Sequence, residues 1–226
     1  MTVEIREVAP GLWLWRQPHW EWTEDADWQP VVASFVVESQ GEVVLLDPLV
    51  PPPIEGAEVY RRLKAKRPTR IVVLKPDHVR DVDLFAHWYK VPAHGPWLFW
   101  KGEAPRVELE PILPDAVLPG GLVALFDGRG GLERPMYLPE QRAIVFADGM
   151  TAQDGILRVW WTPLLERRVL PALRALLELP FEHVLVSHAS RSTPGPTSRR
   201  PSRSMPGTSR RMRHNVELER ATDPRR

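Results

Sequence analysis

The stretch Ile71-Val72-Val73-Leu74-Lys75-Pro76-Asp77-His78 decides how this chain folds. Four apolar residues, three of them β-branched, run directly into a lysine, a proline and an acid-histidine pair. A run this short with no polar side reads as a strand buried on both faces. Val184-Leu185-Val186-Ser187-His188 repeats the arrangement, and the isolated Asp148 follows a third apolar run that ends at Phe146. Each polar station therefore sits where a strand ends. Strand ends feeding loops are where α/β scaffolds gather functional side chains, because the strand fixes direction and the loop stays accessible. Two histidines and two aspartates meeting there would make a partial metal-ligand set.

Working outward, the opening of the chain is β-rich. Leu12-Trp13-Leu14-Trp15 and residues 31–37 read as strands, and Val43-Val44-Leu45-Leu46-Asp47 follows the turn signal Gln40-Gly41. Residues 55–67 alternate apolar and basic positions at helical spacing until Pro68 stops them. Residues 78–89 set Val79, Val82, Phe85 and Trp88 near one helix side, with Asp77 in the N-cap position. Short strands are predicted at 107–109, 122–126, 135–138, 143–146 and 183–187, with a helix from about Pro171. No fixed-period repeat is visible, which excludes a solenoid.

Among 226 residues the net charge is only +1, but the distribution is uneven. Residues 1–188 hold 20 Lys plus Arg against 26 Asp plus Glu, whereas residues 189–226 hold 10 Arg against 3 acids. One domain over 1–188 followed by a basic Ser/Pro/Arg-rich tail fits this division. The tail offers too little apolar surface to order itself. Its codons, if GC-rich and read one frame over, can spell Glu-Pro-Val-His-Thr-Arg-Ala followed by a Leu/Ala/Glu-rich helix, so a frameshift near Ala189 is the expectation. Absence of cysteine excludes disulfides, thiolate metal sites and a Cys nucleophile. Met1-Thr2-Val3-Glu4 carries no secretory pattern, and no apolar run approaches the ~20 residues that span a bilayer, so no membrane association and a cytoplasmic location are expected.

This order of elements, with those residues at the strand ends, resembles the metallo-β-lactamase fold superfamily over residues 3–188. Val8-Ala9-Pro10-Gly11-Leu12-Trp13 is similar to its opening, Leu45-Leu46-Asp47-Pro48 to its first acid-ending strand, and the hairpin from Met136 to Asp148 to the stretch that reaches its metal-bridging aspartate. The resemblance implies an α/β fold, a four-layer αββα sandwich with a metal site at the sheet edge. The family motif His-x-His-x-Asp-His is matched only at Asp77 and His78; its earlier histidines fall at Val73 and Lys75, and its histidine-bearing Gly-rich loop at Asp127-Gly128-Arg129-Gly130-Gly131. The resemblance thus implies a lost first metal site, with a permanent cation at Lys75, and a second site of Asp77, His78, Asp148 and His188. That set suits one Zn²⁺ or Fe²⁺. Asp47 takes the place of an acceptor supporting the ligands.

Two readings of the cleft stay open. In one, a single metal hydrolyses an ester, thioester, lactone or phosphoester, with Asp77 or Asp148 orienting the attacking water. In the other, the chain is a metal-free, non-catalytic relative in which Lys75 anchors an anionic small molecule. A nucleic-acid role for the Arg-rich tail ranks third. Each residue also has a plainer role: Asp77 as a cap, His188 as a buried histidine, Lys75 in a salt bridge, Asp47 as a turn acid, and Arg80 paired with Asp81 at the surface or narrowing the cleft. Trp13, Trp15, Trp20, Trp22 and Trp28 crowd the first 28 residues and read either as packing or as a flap over an apolar substrate. His19, His87, His94 and His183 lack ligand spacing and are read as ordinary surface or core residues. Nothing in the sequence sets the oligomeric state.

Overall fold

The computed structural model describes residues 2–26, 28–99, 104–129, 133–153, 156–159, 162–188 and 198–199. Seven strands form the first sheet in sequence order: β1 (Glu4–Ala9), β2 (Leu12–Pro18), β3 (Val31–Ser39), β4 (Glu42–Leu46), β5 (Arg70–Val72), β6 (Ala93–Gly95) and β7 (Leu109–Pro111). The second sheet joins β8 (Val117–Leu118), β9 (Leu122–Ala124), β10 (Met136–Leu138), β11 (Ala143–Phe146), β14 (His183–Val186) and β15 (Ser198–Arg199). A separate hairpin pairs β12 (Thr151–Gln153) with β13 (Ile156–Arg158). Helices α1 (Ala57–Ala65) and α2 (Val82–Tyr89) lie in the first half, and α3 (Leu170–Ala175) follows a π turn over Leu165–Val169.

Three apolar clusters mark the interfaces of an αββα sandwich. On β2, successive side chains point to opposite faces, so Leu12 and Leu14 join Phe35, Leu46 and Val72 against Met136, Leu138, Val145 and Leu185 of the second sheet. Trp13 and Trp15 face the other way, with Ile71 and Val73, onto Val59 and Leu63 of α1 and Val82 and Phe85 of α2. The third cluster packs Ile144, Phe146, Val184 and Val186 of the second sheet against Val169 and Leu173. Strands covered on both sides have no polar face to show, which is why these sequences run apolar without alternation.

The predicted helix over 78–89 is corrected. Pro76–His78 makes a single 3-10 turn, Arg80 takes a left-handed backbone with φ 47°, and α2 begins only at Val82 with Asp81 at its N-cap position. A residue at positive φ cannot continue a right-handed helix. Asp77 therefore caps nothing and its carboxylate is free for other partners. The strand expected at 107–109 lies at Leu109–Pro111, while β1, β6, β8, β15 and the β12–β13 hairpin have no counterpart in the sequence reading. Most of the basic tail, and with it the expectations of disorder and a shifted frame, lies outside the described residues; Ser198–Arg199 pairs with β14. Among the described residues no helix is long and apolar enough to cross a membrane.

Candidate metal centre

Four strand ends deliver the polar residues to one edge of the sandwich. β4 and β5 run parallel in the first sheet and end before Asp47 and the Lys75–His78 turn; β11 and β14 run parallel in the second and end before Asp148 and His188. Backbone contacts join the two sheets at this edge. The Ala33 amide donates to the Ser187 carbonyl at 2.9 Å and the Arg134 amide to the Leu74 carbonyl at 2.8 Å, while Val32 forms a bridge with His188.

His78 is buried, and its two ring nitrogens have different partners. Nδ1 meets Asp47 Oδ2 at 2.7 Å, and Nε2 lies 3.2 Å from Asp148 Oδ1. Asp47 is fully buried with φ 45°, a conformation Asp tolerates better than most residues. Its Oδ1 accepts the Leu74 amide at 2.7 Å, so one carboxylate orients both the strand end and the imidazole. Ligating histidines are commonly oriented this way by an acceptor on the second nitrogen. His188 Nε2 approaches the same Asp148 Oδ1 at 3.1 Å, and its carbonyl accepts from the Thr151 hydroxyl and the Ala152 amide. His188 Nδ1 is buried and has no hydrogen-bond partner among the described residues.

One donor atom from each of His78, Asp148 and His188 lies within 4.8 Å of the others. Asp77 does not join this group among the described residues. Its carboxylate pairs with Lys75 Nζ at 2.5 Å, and the same ammonium reaches Asp148 Oδ2 at 2.5 Å. Arg80 turns inward rather than to a surface pair: Nη1 donates to the Ala33 and Asp47 carbonyls at 2.7 Å each, and Asp81 accepts the Val50 amide.

The electrostatics follow from these contacts. Burial disfavours a charged His78, but Asp148 and Asp47 outweigh it and push its pKa up to about 9. Burial lowers that of His188, which has only Asp148 to offset it. Asp148 is itself buried, yet the two histidines hold it well below the usual carboxylate range. Burial likewise opposes the Lys75 charge, and Asp148 with Asp77 overcomes it, raising the ammonium to about 12. The cleft as it stands is a compensated set of charges.

Several residues at the site escaped the sequence reading. Glu133 is buried behind Asp148, accepting the amides of Ala147, Asp148 and Gly149 at 3.0, 3.1 and 2.6 Å. Burial, then Asp127 and Asp148, raises its pKa to about 7. A side chain at Gly149 would meet Glu133 Oε1 at 2.9 Å and Asp127 Oδ2 at 3.2 Å, so it would push against the carboxylate that caps these amides. Arg129 donates to the carbonyls of Asp148 and Gly149. On the other side, Trp28 and His188 meet in a T-shaped contact with ring centroids 5.6 Å apart, and His19 makes a T-shaped contact with Trp28 while stacking on the exposed Trp20. Burial, with Arg80 and the site histidines, depresses His19 to about 4. A signal for Glu133 was an acid between a Gly-rich loop and a strand; nothing local singled out His19.

No protein-family model matches the sequence, and no curated protein matches it. Solved structures do. The metallo-β-lactamase FIM-1 from Pseudomonas aeruginosa, in its mono-zinc form, aligns over 88% of this chain and 91% of its own with TM-score 0.64 and 15% identity. The metallo-β-lactamase IND-7 covers 85% and 93% at TM-score 0.63 and 12% identity. A metallo-β-lactamase from Pontibacter korlensis covers 88% and 94% at TM-score 0.59 and 16% identity. The fold of this chain is therefore the metallo-β-lactamase fold.

Proposed function

We propose that this chain is a metal-dependent hydrolase of the metallo-β-lactamase fold that works with a single divalent metal. The observation that carries the reading is the convergence of His78, Asp148 and His188. Donors of one ion with bonds of about 2.0–2.2 Å are separated by at most about 4.4 Å. Both histidine nitrogens lie well inside that limit from Asp148 Oδ1, at 3.2 and 3.1 Å. Two imidazoles and one carboxylate suit Zn²⁺ or Fe²⁺. A metal bound there would lower the pKa of a coordinated water toward ~7 and polarise a carbonyl or phosphoryl oxygen.

The remaining residues would prepare the site. Asp47 holds the His78 ring so that Nε2 faces the cleft, while Lys75 and the amides fixed by Glu133 hold the Asp148 segment. Asp77, the more exposed carboxylate, would orient the attacking water and take its proton. Trp28 offers an apolar wall beside His188, which favours an ester, thioester or lactone with an apolar acyl part over a phosphoester.

A second reading, a metal-free protein binding an anionic small molecule, is favoured by one observation: Lys75 and the two imidazoles already satisfy Asp148 without an ion. Elemental analysis of protein purified without added metal separates the two. Close to one Zn or Fe per chain, lost with ester hydrolysis in His188→Ala, supports the hydrolase. Folded protein that takes up no metal even from excess Zn²⁺ refutes it.

A further inference from the structure

Asp148 is a carboxylate with two different faces. Oδ1 meets two imidazole nitrogens, at 3.2 Å from His78 and 3.1 Å from His188. Oδ2 meets an ammonium: Lys75 Nζ lies 2.5 Å away, and the same nitrogen lies 2.5 Å from Asp77 Oδ2. Two oxygens equally close to one nitrogen can be no more than about 5 Å apart, close to the ~4.4 Å that two ligands of one divalent ion can span. The lysine thus bridges an oxygen of Asp148, a member of the His78–Asp148–His188 group, and an oxygen of Asp77. Paired-metal hydrolytic sites set their cations about 3.5–4 Å apart, so an ion held by Asp77 and Asp148 Oδ2 would be neighbour to the first. Val73, which shares the strand end with Lys75, is buried and has no donor atom.

We propose that Lys75 is the second cation of this centre: a tethered ammonium occupies the carboxylate oxygens a second divalent ion would need and so fixes the stoichiometry at one metal. This rests on the single-metal reading above. The ammonium supplies charge and hydrogen bonds but no open coordination position, and it does not dissociate. Its side chain is only 23% exposed, and two carboxylates hold it in place, so a free ion in solution cannot displace it without leaving a buried cation unpaired. Removing the ammonium reverses the situation. Asp77 Oδ2 and Asp148 Oδ2 are then adjacent carboxylate oxygens that have lost their shared cation, an arrangement that divalent cations relieve.

The test is a metal count on four full-length proteins: wild type, Lys75→Arg, Lys75→Ala and Lys75→His. Each is dialysed against excess Zn²⁺, freed of unbound ion, checked by circular dichroism and measured by mass spectrometry of its metals. Wild type and Lys75→Arg are expected to hold one Zn per chain, and Lys75→His and Lys75→Ala two. Thermal shift gives a second readout, with Zn²⁺ raising the melting temperature more in Lys75→Ala than in wild type. Two Zn in wild type, or one in both folded Lys75→Ala and Lys75→His, overturns the proposal. A wild type that holds none while Lys75→His gains one removes the single-metal reading and upholds the blocking role of the lysine. No Zn in any of the four overturns both.

Discussion

Replacing Asp47 with Asn separates the two jobs of that carboxylate. Asn retains an oxygen that can accept the Leu74 amide, now bonded at 2.7 Å, and it tolerates the positive φ of 45°. What it loses is the acceptor facing His78 Nδ1, because its second group is an amide donor. To avoid two donors meeting at 2.7 Å, the imidazole must carry its proton on Nε2, the nitrogen that faces Asp148. That tautomer cannot ligate through Nε2. Loss of such a supporting acceptor typically costs 10–100-fold in metal affinity, about 1.4–2.7 kcal/mol. Asp47→Ala adds a second cost: the Leu74 amide is left buried without an acceptor, about 1–3 kcal/mol, and a non-glycine residue without a polar side chain sits at positive φ, about 1–2 kcal/mol. Zinc affinity by competition with a chromophoric chelator and urea denaturation of chelator-treated protein measure the two effects independently. Asp47→Asn should fall in affinity with little change in urea midpoint, while Asp47→Ala should fall in both. If Asp47→Asn binds zinc as tightly as wild type, the orienting role argued for Asp47 is refuted.

Other outcomes follow from the same structure. Trp28→Ala should weaken binding of an apolar ester by roughly 2–12-fold, the equivalent of about 0.5–1.5 kcal/mol for an aromatic contact, and leave the metal count unchanged; steady-state kinetics beside elemental analysis tests this. Phe85→Ala should cost about 3–5 kcal/mol in urea unfolding, since the ring is fully buried between Trp15 and Tyr89, and an unchanged midpoint would contradict the packing described. With free Zn²⁺ at a hundred times its dissociation constant, a chelator should remove about 2.7 kcal/mol of stability, and calorimetry with and without chelator would detect it. Arg80→Ala should destabilise by about 1–3 kcal/mol, because the carbonyls of Ala33 and Asp47 each lose a donor.

The layer order was legible because burial leaves a mark on local sequence. Leu12-Trp13-Leu14-Trp15 and Ile71-Val72-Val73-Leu74 lack a polar side, and only a sheet covered on both faces accepts such runs. His78, Asp148 and His188 were visible for a related reason, each standing just beyond one of those runs. Other features depend on contacts made across the fold. The left-handed backbone at Arg80 is held by carbonyls from 33 and 47, residues far away in sequence, so the helix over 78–89 looked continuous when it is not. Glu133 matters only because β10 and β11 bring it under the amides of 147–149. The division of the tryptophans also had to await the fold. Trp13 and Trp15 serve the core beneath α1 and α2, whereas Trp28 reaches His188 through the β2–β3 connection.

The seam at the metal edge has a consequence for motion. Asp148 and His188 belong to one sheet and His78 to the other, and among the described residues few main-chain bonds cross between them there: the Ala33 amide to Ser187, which forms the bridge of Val32 with His188, and the Arg134 amide to Leu74. An ion coordinated by all three side chains would work as a latch between the sheets, because parting them at this edge would require breaking its coordination. Hydrogen exchange would register that latch residue by residue. The amides of Ala33 and Arg134 should exchange more slowly in the metal-loaded protein than after chelation, while amides of α1, remote from the seam, should keep their rates.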